Sequence, residues 1–360
     1  MRGLIKVLIA IGVIVAAGVV ALQVPAVQDR LVINAIRKAM DNRELRESLF
    51  KDDALRVLVC GSTAPIPAPD RARACIAVIA AGRFYLVDIG PGSTSRLVML
   101  RVPVERIGGV FITHYHSDHI GDLGELNFST WMAGRPAPLQ VYGPEGVTRV
   151  VAGFTEAYAL DSGYRIAHHG AQMLPAAVGK IEAHTLALSS DGTPVEAFHE
   201  GDLKVSVFPV SHQPVEPAVG YRFDYKGRSV VISGDTRKDS NIARVARGAD
   251  LLAHEALNPQ LIATMGALAE ELQRPNLAKI FRDIPSNHTS PVEAAELANE
   301  AQVPLLLLYH FVPPPPNRIA ERVFARGISD IRKEGVVLSH DGTLIELPLG
   351  SREWRVRDLL

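Results

Sequence analysis

His114-Tyr115-His116-Ser117-Asp118-His119 places three imidazoles and a carboxylate within six residues, at the spacing H-x-H-x-D-H. The run before it, Ile107–Thr113, is apolar and β-branched and reads as a buried strand. The run after it, Ile120–Trp131, has apolar residues at helical spacing. The motif therefore occupies a loop where a strand gives way to a helix, a place from which several side chains turn into one pocket. Neutral imidazole and carboxylate are the usual ligands of zinc, and catalytic zinc sites keep one position open for water. The chain has only twelve histidines, so a chance cluster of three beside an aspartate is the weaker reading.

Length and composition set bounds. The chain has 360 residues, room for one large domain or two modest ones, with 47% hydrophobic and 21% charged residues. Lys and Arg number 38 against 39 Asp and Glu, so there is no global basic field that would by itself argue for nucleic acid. Two cysteines, Cys60 and Cys75, cannot build a zinc ribbon. They form one disulfide if the chain is exported, or stay two buried thiols.

Residues 1–27 differ from the rest. Arg2 and Lys6 precede an apolar run from Val7 to Leu22 that continues to Val27. This reads as an N-terminal membrane anchor, with a cleaved signal segment as the alternative. A short basic N-terminus kept inside places the catalytic part in the periplasm, anchored to the inner membrane or exported, although Arg30, Arg37, Lys38 and Arg43 follow the span. Residues 28–51 form a helical connector, with Leu31, Ala35, Ile36, Met40, Leu45 and Leu49 on one face. Residues 52–360 form the remaining domain, which carries the motif.

Within that domain strands and helices alternate. Strands are expected at Leu55–Cys60, Ile107–Thr113, Leu139–Tyr142, Leu203–Val210, Ala249–Ala253 and Leu305–Tyr309. Hairpins pair Ala74–Ala80 with Phe84–Asp88 and Val219–Tyr225 with Ser229–Ser233. Helices are expected at Ser93–Leu100, Glu145–Tyr158, Pro291–Glu300 and Ile319–Ile331, and residues 159–195 read as an irregular insertion. The order implies an α/β fold, a four-layer αββα sandwich of two sheets with helices outside.

His114, His212, Asp235, Glu255 and His310 each directly follow an apolar strand. A sheet edge built this way gathers them in one cleft. His114, His116 and His212 would hold one metal, Asp118, His119 and His310 a second, and Asp235 would bridge them. Two Zn2+ ions are expected, with Mn2+ or Fe2+ as alternatives for the same donors. Such a pair about 3.5–4 Å apart activates water and clamps the attacking and leaving oxygens.

These residues, in this order, resemble the metallo-β-lactamase superfamily from Leu55 to His310. Gly61-Ser-Thr-Ala-Pro-Ile-Pro67, Asp88-Ile-Gly-Pro-Gly92, His254-Glu255-Ala256 and Asn287-His288-Thr289-Ser290 are similar to the ribonuclease Z and arylsulfatase branch. The resemblance implies the metallo-β-lactamase fold. It assigns proton donation to His288, its orientation to Glu255, and a catalytic as well as ligating place to Asp118. Both cysteines precede the motif, unlike the common β-lactamases with a cysteine ligand. The ribonuclease Z family also carries a tRNA-clamping arm between its third histidine and bridging aspartate. Here a tight hairpin separates His212 from Asp235.

The expectation is therefore a binuclear hydrolase of small aryl sulfates or phosphodiesters, with metal-bound hydroxide as nucleophile. Lactone or acyl-ester hydrolysis, a ribonuclease Z-type endonuclease and a non-catalytic metal-binding module are the alternatives. The expected partners are a small-molecule ester and the membrane, with no nucleic acid, and a homodimer is left open.

Overall fold

The computed structural model describes residues 2–40 and 47–360. The chain divides into two compact units, residues 1–48 and 49–360. The described residues of the first include the helices Arg2–Ala21 and Pro25–Met40. Among the described residues no helix is long and apolar enough to cross a membrane, so the expected anchor finds no support. Of the connector expected over 28–51, Arg43 and Leu45 lie outside the described residues. Leu49 belongs to the second unit, where it is buried in the core.

The second unit starts with six strands of one sheet: β1 (Ala54–Gly61), β2 (Cys75–Ala80), β3 (Arg83–Val87), β4 (Ile107–Phe111), β5 (Leu139–Gly143) and β6 (Ile181–Thr185). Seven strands then build another: β7 (Val195–Glu200), β8 (Leu203–Pro209), β9 (Val219–Tyr225), β10 (Arg228–Ile232), β11 (Leu251–Leu257), β12 (Leu305–Val312) and β13 (Val336–Leu338). The chain returns to the first sheet with β14 (Thr343–Pro348) and β15 (Arg355–Asp358). The spatial orders are β15-β14-β1-β2-β3-β4-β5-β6 and β13-β12-β11-β10-β9-β8-β7.

Alternation along the strands makes the layers. On β1, Leu55, Val57 and Val59 face the second sheet, whereas Leu58 and Cys60 face the outer helices. Phe111, Tyr221 and Phe223 meet in the inter-sheet core, with Phe111 5.4 and 5.6 Å from the other two rings. Each such fully buried side chain contributes about 1.5–3 kcal/mol. Leu123, Leu126 and Val147 cover the outside of the first sheet, and Ile242, Ala294 and Leu297 the outside of the second. The result is two sheets faced by helices, the four layers expected.

Both hairpins turn through two residues of positive φ, Ala81-Gly82 (53° and 73°) and Lys226-Gly227 (46° and 82°), which suits the right-handed twist of the strands. The helix at Pro291–Glu300 opens on a capping box, with Ser290 and Glu293 satisfying each other's backbone N–H groups. Two local expectations change. Residues 159–195 are ordered as the helix Ala159–His169 and edge strand β6, because β6 pairs parallel to β5 despite its mixed polarity. The helix expected at Ile319–Ile331 breaks into Arg318–Phe324 and Ile328–Ile331 around Gly327, whose φ is 89°.

Cys60 and Cys75 form a disulfide across β1 and β2, with Cα atoms 5.0 Å apart and both residues buried. Parallel pairing runs through β3-β4-β5-β6 and through β10-β11-β12-β13. The carboxyl ends of these strands open on one crevice, where open α/β sheets bind ligands. The sheets also join there, since Val219 N donates to Thr113 O (3.0 Å) and Tyr221 Oη to Ile112 O (2.6 Å).

Candidate metal centre

The crevice collects all seven side chains expected as ligands. His114, His116 and His212 place a nitrogen each within one ligand-sized cluster. Asp118, His119 and His310 form a second, and Asp235 joins His114 and His119 in a third that overlaps both. Asp235 Oδ2 stands 3.3 Å from His119 Nε2, 3.4 Å from His310 Nε2 and 4.0 Å from His114 Nε2. Asp118 Oδ2 lies 3.2 Å from His310 Nε2. His114, His119, His212, Asp235 and His310 are buried, and His116 alone among the seven is exposed. The cluster therefore opens to solvent on the His116 side.

Backbone geometry aims these groups. The loop from Thr113 to His119 packs so tightly against Gly90 that a Cβ there would fall 2.0 Å from Asp118 O. Gly234 has a φ of 64° and lies against Val219 O, turning the chain into Asp235. Glu255 and His310 were expected just beyond their strands, but β11 and β12 run through them. A register shift pairs Glu255 with Tyr309 and Ala256 with Phe311, leaving His310 as the extra residue of a bulge. Its φ of 49° turns the imidazole out of the strand alternation and into the cleft.

Asp88 organises the loop. Oδ1 accepts from Thr113 N and Oδ2 from Thr113 Oγ1, both at 2.8 Å, and Oδ2 also stands 2.8 Å from His119 Nδ1. Fixing the proton on Nδ1 leaves the Nε2 lone pair facing inward, the arrangement of carboxylate-backed histidine ligands. Asn287 O does the same for His212, 2.9 Å from Nδ1. Asp88 and Thr113 were not read from the sequence as site residues. The signal for Asp88 is an acidic residue at a strand exit before Gly90-Pro91-Gly92, held here at a φ of 61°.

The donor set suits divalent metal. Among the described residues, buried His212 Nε2 and Asp235 Oδ1 have no hydrogen-bond partner. Such atoms cost about 1–3 kcal/mol each if left unsatisfied. His114 Nε2 lies 2.9 Å from His116 Nδ1, and His119 Nε2 3.2 Å from His310 Nε2; a proton on one nitrogen of each pair, or a cation held between the two, satisfies both. Burial lowers the pKa of His114, His116 and His212, and keeps these imidazoles neutral and ready to ligate. Burial would raise Asp118 and Asp235, but His119 and His310 outweigh it and hold both carboxyls below the usual range. Burial also works against a proton on His119, yet Asp235, Asp118 and Asp88 lift it well above an ordinary imidazole.

Glu255 and His288 flank this group. Glu255 is fully buried, and its Oε1 accepts from Thr289 N (2.8 Å). Its Oε2 stands 3.2 Å from His288 Nδ1, an ion-pair distance without hydrogen-bond alignment. Burial lowers the His288 pKa, but Glu255 outweighs it and raises the group to about 9. The His288 ring lies 5.2 Å from that of His212. The exposed pair His168-His169, by contrast, closes the outer helix Ala159–His169.

Residues 83–311 match the family model of the β-lactamase superfamily domain. Ribonuclease Z of Mycobacterium bovis is 35% identical over 262 residues, 72% of this chain and 86% of that protein. Ribonuclease Z of Mycobacterium avium is 36% identical over the same shares. Among solved structures, the metallo-β-lactamase-fold protein YhfI of Bacillus subtilis aligns with a TM-score of 0.59 at 21% identity, covering 82% of this chain and 100% of that one. Human tRNase Z, short form, aligns with a TM-score of 0.58 at 21% identity, with the same coverage. These two structures share the fold. The relatives named as ribonucleases overturn the expectation of a small-molecule ester and no nucleic acid. That expectation rested on net charge, on a missing arm and on the apolar N-terminus, none of which bears on the chemistry of the cleft.

Proposed function

The chain belongs to the β-lactamase superfamily, in its ribonuclease Z branch, and is a metal-dependent hydrolase; from this premise we propose that it cleaves phosphodiester bonds of RNA. The observation that carries the reading is the pair of ligand clusters sharing Asp235, with the Glu255–His288 pair beside them. His114, His116 and His212 would hold one divalent ion and Asp118, His119 and His310 the other, with Asp235 touching both. Zinc suits these donors. When bound, such a pair supplies an activated water and neutralises phosphate charge.

The chain's own residues do the rest. Asp88 and Asn287 O hold His119 and His212 in the tautomer that ligates. His288 gives its proton to the oxygen that leaves, and an imidazole kept protonated beside a carboxylate is suited to that step. Glu255, pinned by Thr289 N, keeps that imidazole in place. His288 also falls within ligand reach of His212 and Asp235, so a further metal ligand is the second reading of this residue. Incubating the metal-loaded chain with short single-stranded RNA tests the function. Cleavage abolished by a chelator and restored by zinc is the expected result. RNA left intact by fully loaded protein would remove the reading.

The disulfide adds a place of action. Cytosolic thiols are kept reduced, so Cys60–Cys75 supports maturation in an oxidising compartment outside the cytoplasm.

A further inference from the structure

Phosphodiester chains are gripped mainly through their phosphates, yet this chain carries 38 Lys and Arg against 39 Asp and Glu. The segment between His212 and Asp235 is occupied by the end of β9's approach, β9 itself and β10, with a two-residue turn at Lys226-Gly227. With no arm in that segment, cations beside the cleft are the candidates for holding the strand. Among the loops that carry the seven clustered side chains, 113–119, 211–213 and 234–238, and the bulge at His310, only the third contains Lys or Arg. These are Arg237 and Lys238. Lys238 is neutralised by Glu296, 2.5 Å away.

Arg237 is different. Its backbone N donates to Ser211 O (2.9 Å) and its Nε to Ser211 Oγ (2.8 Å). Thr236 Oγ1 accepts from Ser211 N (3.2 Å) and donates to Ser211 O (3.3 Å), so four hydrogen bonds tie the two loops. This anchors the guanidinium beside the residue that precedes His212, two residues after Asp235. The side chain is exposed, and its Nη1 and Nη2 have no partner among the described residues. By comparison, the exposed head of Arg244 is taken up by Asn241 Oδ1 and Asp191 O. An arginine held by Nε, with both terminal amino groups free, presents the planar fork that binds a phosphate through two N–H groups.

We propose that Arg237 is a substrate-positioning residue that binds a phosphate of the RNA strand next to the one being cleaved. The inference rests on the RNA reading above and adds the contact that orients the strand in the cleft. The test compares a short single-stranded RNA with bis(4-nitrophenyl) phosphate, a diester that has no neighbouring phosphate, using the metal-loaded full chain. Arg237→Ala should raise KM for the RNA about tenfold, the size of one lost hydrogen bond to a charged group. It should act mainly on KM rather than kcat, and far less on the small diester. The dependence of log(kcat/KM) on log salt for RNA should become shallower by about 0.7, the value of one phosphate contact on a single strand. Arg237→Lys keeps the charge and should retain most of the salt slope while losing part of the affinity. Lys238→Ala, its neutralised neighbour, serves as control and should change neither substrate. Equal losses on both substrates would mean that Arg237 only shapes the loop before His212, and would overturn the proposal. So would RNA turnover by Arg237→Ala indistinguishable from the parent. Wild-type protein that cleaves the small diester but not RNA would remove the RNA reading itself, and this contact with it.

Discussion

The two sheets furnish the centre in opposite ways. The first sends four residues from one loop, His114, His116, Asp118 and His119, and braces that loop with a single carboxylate, Asp88. The second sends one residue from each of several strand ends: His212 after β8, Asp235 after β10, Glu255 on β11 and His310 on a bulge of β12. The local half is short in sequence and depends on one support. The distributed half depends on the packing of a whole sheet, and its geometry survives only while the strands keep their register. A metal site split this way couples ion binding to the closure of the sandwich.

Four variants break or sharpen this contrast. Asp235→Ala strikes where the halves meet, and it also leaves His119 and His310 without their shared carboxylate. Turnover should fall by more than the about 10–100-fold typical of losing an outer partner. Metal analysis of the dialysed protein should show the loss of at least one ion. His288→Ala belongs to the distributed half. Its kcat for RNA should drop by about 10²–10⁴, the usual worth of a general acid. Metal content should hold, and a diester with a 4-nitrophenol leaving group should recover much of the rate because it needs no proton. Lost metal would instead make His288 a ligand.

Asp88→Asn tests the local half. The amide can still reach Thr113, but it withdraws the charge behind His119, and metal affinity should weaken by about 10–100-fold. Titration against a competing chelator measures this, with RNA turnover recovering at high zinc. The smallest effect on chemistry is expected from the paired Cys60→Ser, Cys75→Ser variant. The bond closes a loop of sequence separation 15, for which loop entropy alone predicts about 3 kcal/mol of stability. Urea unfolding should show that loss, while the metal content of the folded variant stays at the parent level.

The same contrast explains what the sequence disclosed. The local half is legible from spacing, because a six-residue cluster of imidazoles and a carboxylate needs no knowledge of the fold. The distributed half is legible only as polar residues at the ends of apolar runs, the position that singled out His212 and His310. Asp88 was missed since it binds no cleft atom in its own sequence neighbourhood. Its partners are 25 and 31 residues away and become visible only after β3 and β4 pair. The bulge at His310 was equally hidden, because an uninterrupted apolar strand carries no sign of a register shift in its partner. Edge strand β6 shows the reverse failure. Its Ile181–Thr185 pattern is too polar to announce a strand, and the exposed backbone of β5 recruits it. Net charge could not exclude nucleic acid, because a chain average says nothing of one arginine tied to Ser211.

The central claim is that both halves close around divalent ions, and metal stoichiometry reaches it most directly. Folded full-length protein, loaded with zinc and dialysed, should retain about two equivalents per chain, as a bridged pair requires. The His212→Ala protein should retain about one while keeping its fold. A folded parent chain that holds fewer than two, or a His212→Ala chain that holds as many as the parent, would contradict the account.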